Sequence, residues 1–91
     1  MKIMICTTCS SFVQLRTNVE KPCDCGAITG KYNADGDTIT VTEGAVVMGC
    51  DNNDILWAIR NRAYKDEGLR KVRAWIFNPS YEKITYVKKD L

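Results

Sequence analysis

The sequence predicts an α+β fold in which a cysteine-built N-terminal module leads into a small antiparallel sheet with one helix. Three observations predict it. Four of the five cysteines in the 91 residues fall in two tight pairs near the N-terminus, at Cys6 and Cys9 and at Cys23 and Cys25. Apolar residues alternate with threonines on one side of an Asp-Gly turn in the segment 30–42, which is the signature of a β-hairpin. The stretch from Asn53 to Lys65 instead repeats its apolar residues at the helical period.

A chain of this length suffices for one domain, taken as residues 1–91, with 1–28 as the cysteine-bearing part and 29–91 as the α+β part. Its 45% apolar and 26% charged residues suit a globular protein, and no apolar run reaches the roughly 20 residues that cross a bilayer as a helix. The opening "MKIMICTTCS" lacks the features of a secretory signal. The expected compartment is therefore the cytoplasm, where paired thiols serve as metal ligands more often than as disulfides.

In order along the chain, the cysteine pairs come first. A Cys-x-x-Cys turn aims two thiolates at one point, and a second pair completes the four-sulfur tetrahedron that zinc prefers. Cys6, Cys9, Cys23 and Cys25 supply that set, with "SFVQLR" read as an outgoing strand and "TNVEKP" as its return. This is zinc-ribbon architecture, although Cys-x-Cys is tighter than the usual second pair. Gly26 follows Cys25 where a metal knuckle needs a residue tolerant of positive φ. Disulfides, free buried pairs and an iron–sulfur site are the alternatives. All four positions are filled by protein, so the zinc is read as structural. Cys50 is left over and reads as a small buried apolar residue.

The segment 30–42 gives the hairpin, and "EGAVVMG" turns at Gly44 into a short, continuously apolar strand placed centrally in the sheet. "DNND" at 51–54 is a helix N-terminus, since Asp and Asn accept hydrogen bonds from free backbone N–H groups. The helix is expected from about Asn53 to about Lys65. "KVRAWIF" and "EKITYVKK" are read as a second strand pair around "NPSYE".

At 100° per residue, Ile55, Leu56, Ile59 and Ala63 form a stripe expected to pack on the sheet. The opposite side carries Trp57, Arg60, Asn61 and Tyr64, and Trp, Tyr and Arg are the residue types enriched in binding hot spots; burial beneath the C-terminal strands or the ribbon is the competing reading of the two aromatics. Arg70, Lys71 and Arg73 extend this candidate partner-binding set. Residues 1–50 hold four basic and five acidic side chains and residues 51–91 nine and six, so the basic side is the C-terminal half. Four thiolates and one Zn2+ carry −2 and cancel the formal charge of +2, which weakens a nucleic-acid reading. Catalysis finds no histidine, phosphate loop or paired nucleophile and base, and Asp35, Asp37, Asp51 and Asp54 read as turn and cap residues. The chain is therefore read as non-enzymatic.

"CTTC", "PCDCG" and "GKYNADGDTITVTEGAVVMGCDNND" together resemble a group of small uncharacterised bacterial and bacteriophage proteins with an N-terminal Cys-x-x-Cys and Cys-x-Cys-Gly. The likeness covers about residues 1–55. It implies a zinc-bearing module and a phage-type accessory protein in the host cytoplasm that binds and modulates a host factor, either a protein or a small nucleotide signal. The alternative expectation is a zinc-ribbon nucleic-acid binder using the same helix face.

Overall fold

The computed structural model describes residues 1–63 and 68–88. Among these residues eight strands and one helix follow one another: β1 (Lys2–Ile5), β2 (Phe12–Gln14), β3 (Lys21–Pro22), β4 (Thr29–Tyr32), β5 (Ile39–Thr42), β6 (Val46–Cys50), α1 (Asn52–Arg60), β7 (Ala74–Ile76) and β8 (Ile84–Val87). They build two four-stranded sheets, of order β2-β1-β6-β7 and β3-β4-β5-β8. The class is α+β, as expected, but with two sheets where one was expected.

The sheets begin as hairpins. β1 pairs antiparallel with β2 across the first cysteine loop, and β3 pairs with β4 across the second. The two strands expected to run between the cysteine pairs do form at "FVQ" and "KP", but they do not pair with each other. A single bridge, Arg16 to Val19, marks the turn between them, and beyond it the chain has crossed into the other sheet. Each strand pairs instead across its own cysteine loop; the three successive connections are equally long, so closure entropy does not make the choice.

The Asp-Gly hairpin forms as read, with β4 antiparallel to β5 and Asp35 Oδ1 accepting from the Asp37 and Thr38 amides, both at 2.9 Å. β6 is central, flanked by β1 and β7. The final pair is a correction: β7 joins β6 antiparallel in one sheet, while β8 lies parallel to β5 in the other. The turn at Asn78, whose Oδ1 accepts from the Ser80 amide at 2.9 Å, sends the chain from one sheet to the other.

The core lies between the sheets, where Met4, Ile39, Val41 and Val47 are wholly buried. Gly30 lets the layers approach, since a Cβ there would stand 2.8 Å from Met4 Sδ and 2.9 Å from Val41 Cγ1. Thr42 is the buried polar residue among those described, and its hydroxyl accepts from the Thr29 amide at 2.9 Å.

Strand alternation puts Met4, Val47 and Gly49 on the inner face of the β2-β1-β6-β7 sheet. Ile3, Ile5, Val46 and Met48 then fall on its outer face, joined through the strand register by Phe12, Gln14, Ala74 and Ile76. Apart from Cys50, which is buried, the outer residues of β1 and β6 are only partly buried, and Phe12 and Ile76 are exposed. Strands of a half-solvated sheet usually alternate apolar with polar residues; apart from Lys2 at the start of β1, β1 and β6 carry no polar side chain on either face.

Helix α1 starts where expected. Asp51 is the N-cap, in extended conformation, and its Oδ1 accepts from the Asp54 amide at 3.0 Å. It ends at Arg60, sooner than the residue-65 limit expected: Asn61 is the C-cap, its backbone has left helical geometry at φ −106° and ψ 8°, and its side-chain amide donates to the Trp57 carbonyl at 2.7 Å. The stripe expected to pack on the sheet does not. Leu56 and Ile59 are 49% and 50% exposed, Ala63 is exposed, and α1 has no buried residue. The helix is fastened at its N-terminus instead. Arg73 donates to Asp54 at 2.7 Å and to Asp51 at 2.9 Å, and the Met1 amino group donates to Asn52 Oδ1 at 2.8 Å.

Candidate metal centre

The two hairpin tips meet. Cys6 and Cys9 lie in the β1–β2 loop and Cys23 and Cys25 in the β3–β4 loop, so one end of each sheet delivers a ligand pair. The four Sγ atoms lie within 4.8 Å of one another. Cys6 and Cys25 are 3.8 Å apart and Cys23 and Cys25 3.5 Å. Metal–sulfur bonds of about 2.3 Å in a tetrahedron put sulfurs ~3.8 Å apart, and a disulfide needs about 2 Å. All five cysteines are free thiols, which removes the disulfide alternative. The cluster is sized to hold a metal ion.

Each loop is shaped by backbone bonds that bring its thiols inward. The Cys6 amide donates to the Ser11 carbonyl at 3.0 Å and the Ser10 amide to the Cys6 carbonyl at 2.9 Å. In the second loop the Cys23 amide donates to the Ile28 carbonyl and the Gly26 amide to the Cys23 carbonyl, both at 3.0 Å. Gly26 has φ 75°, as its place after Cys25 predicted. The sequence reading missed its counterpart: Ser10, directly after Cys9, has φ 62°. A non-glycine residue there costs about 1–2 kcal/mol, so the same backbone turn follows both ligand pairs although only one is marked by a glycine.

The electrostatics favour the thiolate at two of the four cysteines, Cys9 and Cys23. The Ser11 hydroxyl, 3.0 Å from Cys9 Sγ, leads the hydrogen bonds that lower the Cys9 thiol to about 6. The Ile28 amide, 3.5 Å from Cys23 Sγ, lowers that thiol too. At Cys25 the Ala27 amide pulls downward, but Cys23, burial and the other two sulfurs together push it up to about 11. The last proton on four crowded sulfurs is hard to remove without a cation, and a divalent ion supplies the missing charge. Cys6 and Cys23 are buried, Cys9 is half-buried and Cys25 faces solvent. Cys50 is buried at the far end of β6, outside the cluster.

The candidate partner-binding residues lie elsewhere, around α1. Trp57 is 55% exposed, and Arg60 and Lys71 are exposed. Asn61 and Arg70 are brought together, with Arg70 Nε donating to the Asn61 carbonyl at 2.8 Å. Arg73 is turned to Asp51 and Asp54, which hold its guanidinium in place. Tyr64 lies outside the described residues. No described helix is long and apolar enough to cross a membrane. Family models, curated proteins and solved structures were each compared with the chain and none matches, so the bacterial or phage origin rests on the short motifs alone.

Proposed function

We propose that the protein is a non-enzymatic interaction module whose hairpin tips are stapled by one structural zinc ion in a ribbon-like four-cysteine site. Four thiolates at tetrahedral spacing, with no place left for a substrate water, support zinc in a structural role. The partner is a protein, bound through Trp57, Arg60, Asn61, Arg70 and Lys71. One observation carries this: Trp57 stands 55% exposed on a helix with no buried residue, where a tryptophan adds nothing to the core and suits a binding anchor. The engagement of Arg73 by two carboxylates lowers the free basic charge and favours a protein over nucleic acid. In the role the resemblance implies, that protein is a host factor whose activity is modulated in the cytoplasm.

Affinity capture with wild-type protein and Trp57→Ala, at low and high salt, tests the reading. The expected result is a protein partner whose affinity falls by ~30-fold or more in Trp57→Ala, about 2 kcal/mol, with little dependence on salt. Capture of nucleic acid that weakens steeply with salt would replace it with the nucleic-acid reading. Elemental analysis of protein purified without chelator tests the staple: one zinc per chain is expected, and iron or no metal overturns it.

A further inference from the structure

We propose that the outer face of the β2-β1-β6-β7 sheet is the interface of a homodimer, in which two copies of this chain pack these faces together across a twofold axis. The inference is independent of the Trp57 reading, because Trp57 projects from the other side of the helix.

Three features select a second copy. The first is composition. Ile3, Ile5, Met48, Phe12 and Ile76 share the face by strand register, with Gln14 as its polar member and no charged side chain among the strand residues that point outward. Homodimer interfaces are the more apolar class. A face without charge meets its own copy without repulsion and offers an acidic peptide or a phosphate nothing to pair with. Arg73, directly before β7, is already balanced by Asp51 and Asp54.

The second is area. With Phe12 64%, Ile76 60% and Leu56 49% exposed, these three side chains alone open about 330 Å2 of apolar surface, within the roughly 300–600 Å2 of a typical monomer's largest patch, and the partly exposed Ile3, Ile5, Val46 and Met48 extend it. Each partner of a standard interface contributes roughly 800 Å2 in all, and this patch would form its apolar centre. An isologous contact places the same patch on both sides and so matches the two areas by symmetry.

The third is continuity. Met1 lies on this face beside Gln14, and a concavity of about 210 Å3 between Met1, Asn52, Ile55 and Leu56 joins the sheet to the helix stripe that none of the described residues covers. Two sheet faces packed about 10 Å apart would seat the stripe of one copy at the margin of the other.

Sedimentation equilibrium of the metal-loaded protein from about 1 to 200 μM tests the proposal. The expected mass approaches twice the 10.3 kDa of one chain. Phe12→Glu and Ile76→Glu, on opposite edge strands, should each raise the dissociation constant at least ~30-fold, with metal content and circular dichroism reporting that the fold is kept. Should Phe12→Glu fail to fold, Ile76→Glu carries the same expectation. Trp57→Ala should leave the dimer intact while weakening capture of the foreign partner. A monomeric mass throughout overturns the proposal, as does a dimer that both glutamate variants leave unchanged.

Discussion

Residues 1–50 and residues 51–76 are built from similarly apolar sequence and end in opposite conditions. In the first region β1, β4, β5 and β6 bury Met4, Ile39, Val41 and Val47 completely, and the metal cluster closes one end. In the second region, among the described residues, Leu56, Trp57, Ile59, Leu69, Trp75 and Ile76 are between 44% and 68% exposed. The first region covers its inner faces, and its outer sheet face, with Phe12 64% exposed, is left open. The second has apolar side chains without a covering layer among the described residues. Apolar periodicity thus encodes that a surface is to be covered without encoding by what.

The largest expected effect comes from removing the constraint that closes one end of the first region's core. Chelation, or Cys25→Ser, should lower the melting temperature by well over ~10 °C, because metal-binding free energy in a small site is folding free energy. Cys50→Ser should leave the metal content unchanged. A chelated protein that melts like the loaded one would erase the distinction between the regions.

Core substitutions come next and sharpen the contrast. Val47→Ala, at a wholly buried position, should cost about 1–3 kcal/mol in chemical denaturation, while Trp57→Ala should cost under ~1 kcal/mol. Equal losses would mean that α1 is packed after all. Gly30→Ala should cost about 1–3 kcal/mol, since its Cβ would meet Met4 and Val41 at less than contact distance in a core that cannot expand freely.

The smallest effect concerns the clamp on the helix. The Arg73 side chain, backed by the Arg73 amide, holds the Asp54 carboxyl below its ordinary value. A depressed folded-state value contributes stability above the unfolded value of about 3.9, and the contribution is lost as the pH falls through the folded value. Asp54→Asn should therefore be less stable than wild type at neutral pH, with the gap closing below about pH 4. Because Arg73 is 74% exposed, solvent screens the pair and the gap should shrink in high salt.

Much of the first region was legible because its signals are local. Cysteine spacing, Gly26 after Cys25 and the Asp-Gly turn each depend on a few adjacent residues, and the Asp51 cap likewise announced the helix start. Strand partners were not legible, since pairing is non-local. "SFVQLR" and "TNVEKP" look like one hairpin in sequence, yet they are divided between two sheets by a turn at Asn18, whose φ is 58°. The positive φ at Ser10 was hidden because no glycine marked it. The early end of the helix depended on Asn61 folding back onto Trp57, a cap that a 100° wheel does not contain. The stripe of Ile55, Leu56 and Ile59 was read correctly as apolar and wrongly as covered, because periodicity assigns a face and not its neighbour.

Amide hydrogen exchange of the metal-loaded protein at low micromolar concentration tests this division most directly, because it reads local opening free energies along the chain. Amides of β1, β4, β5 and the inner side of β6 should exchange only through global unfolding. Those of α1 and β7 should open several kcal/mol more easily, and should gain protection when concentration or a bound partner covers them. Protection of α1 equal to that of β6 in the isolated monomer would contradict the account, since the helix would then be held by packing that its exposed side chains deny.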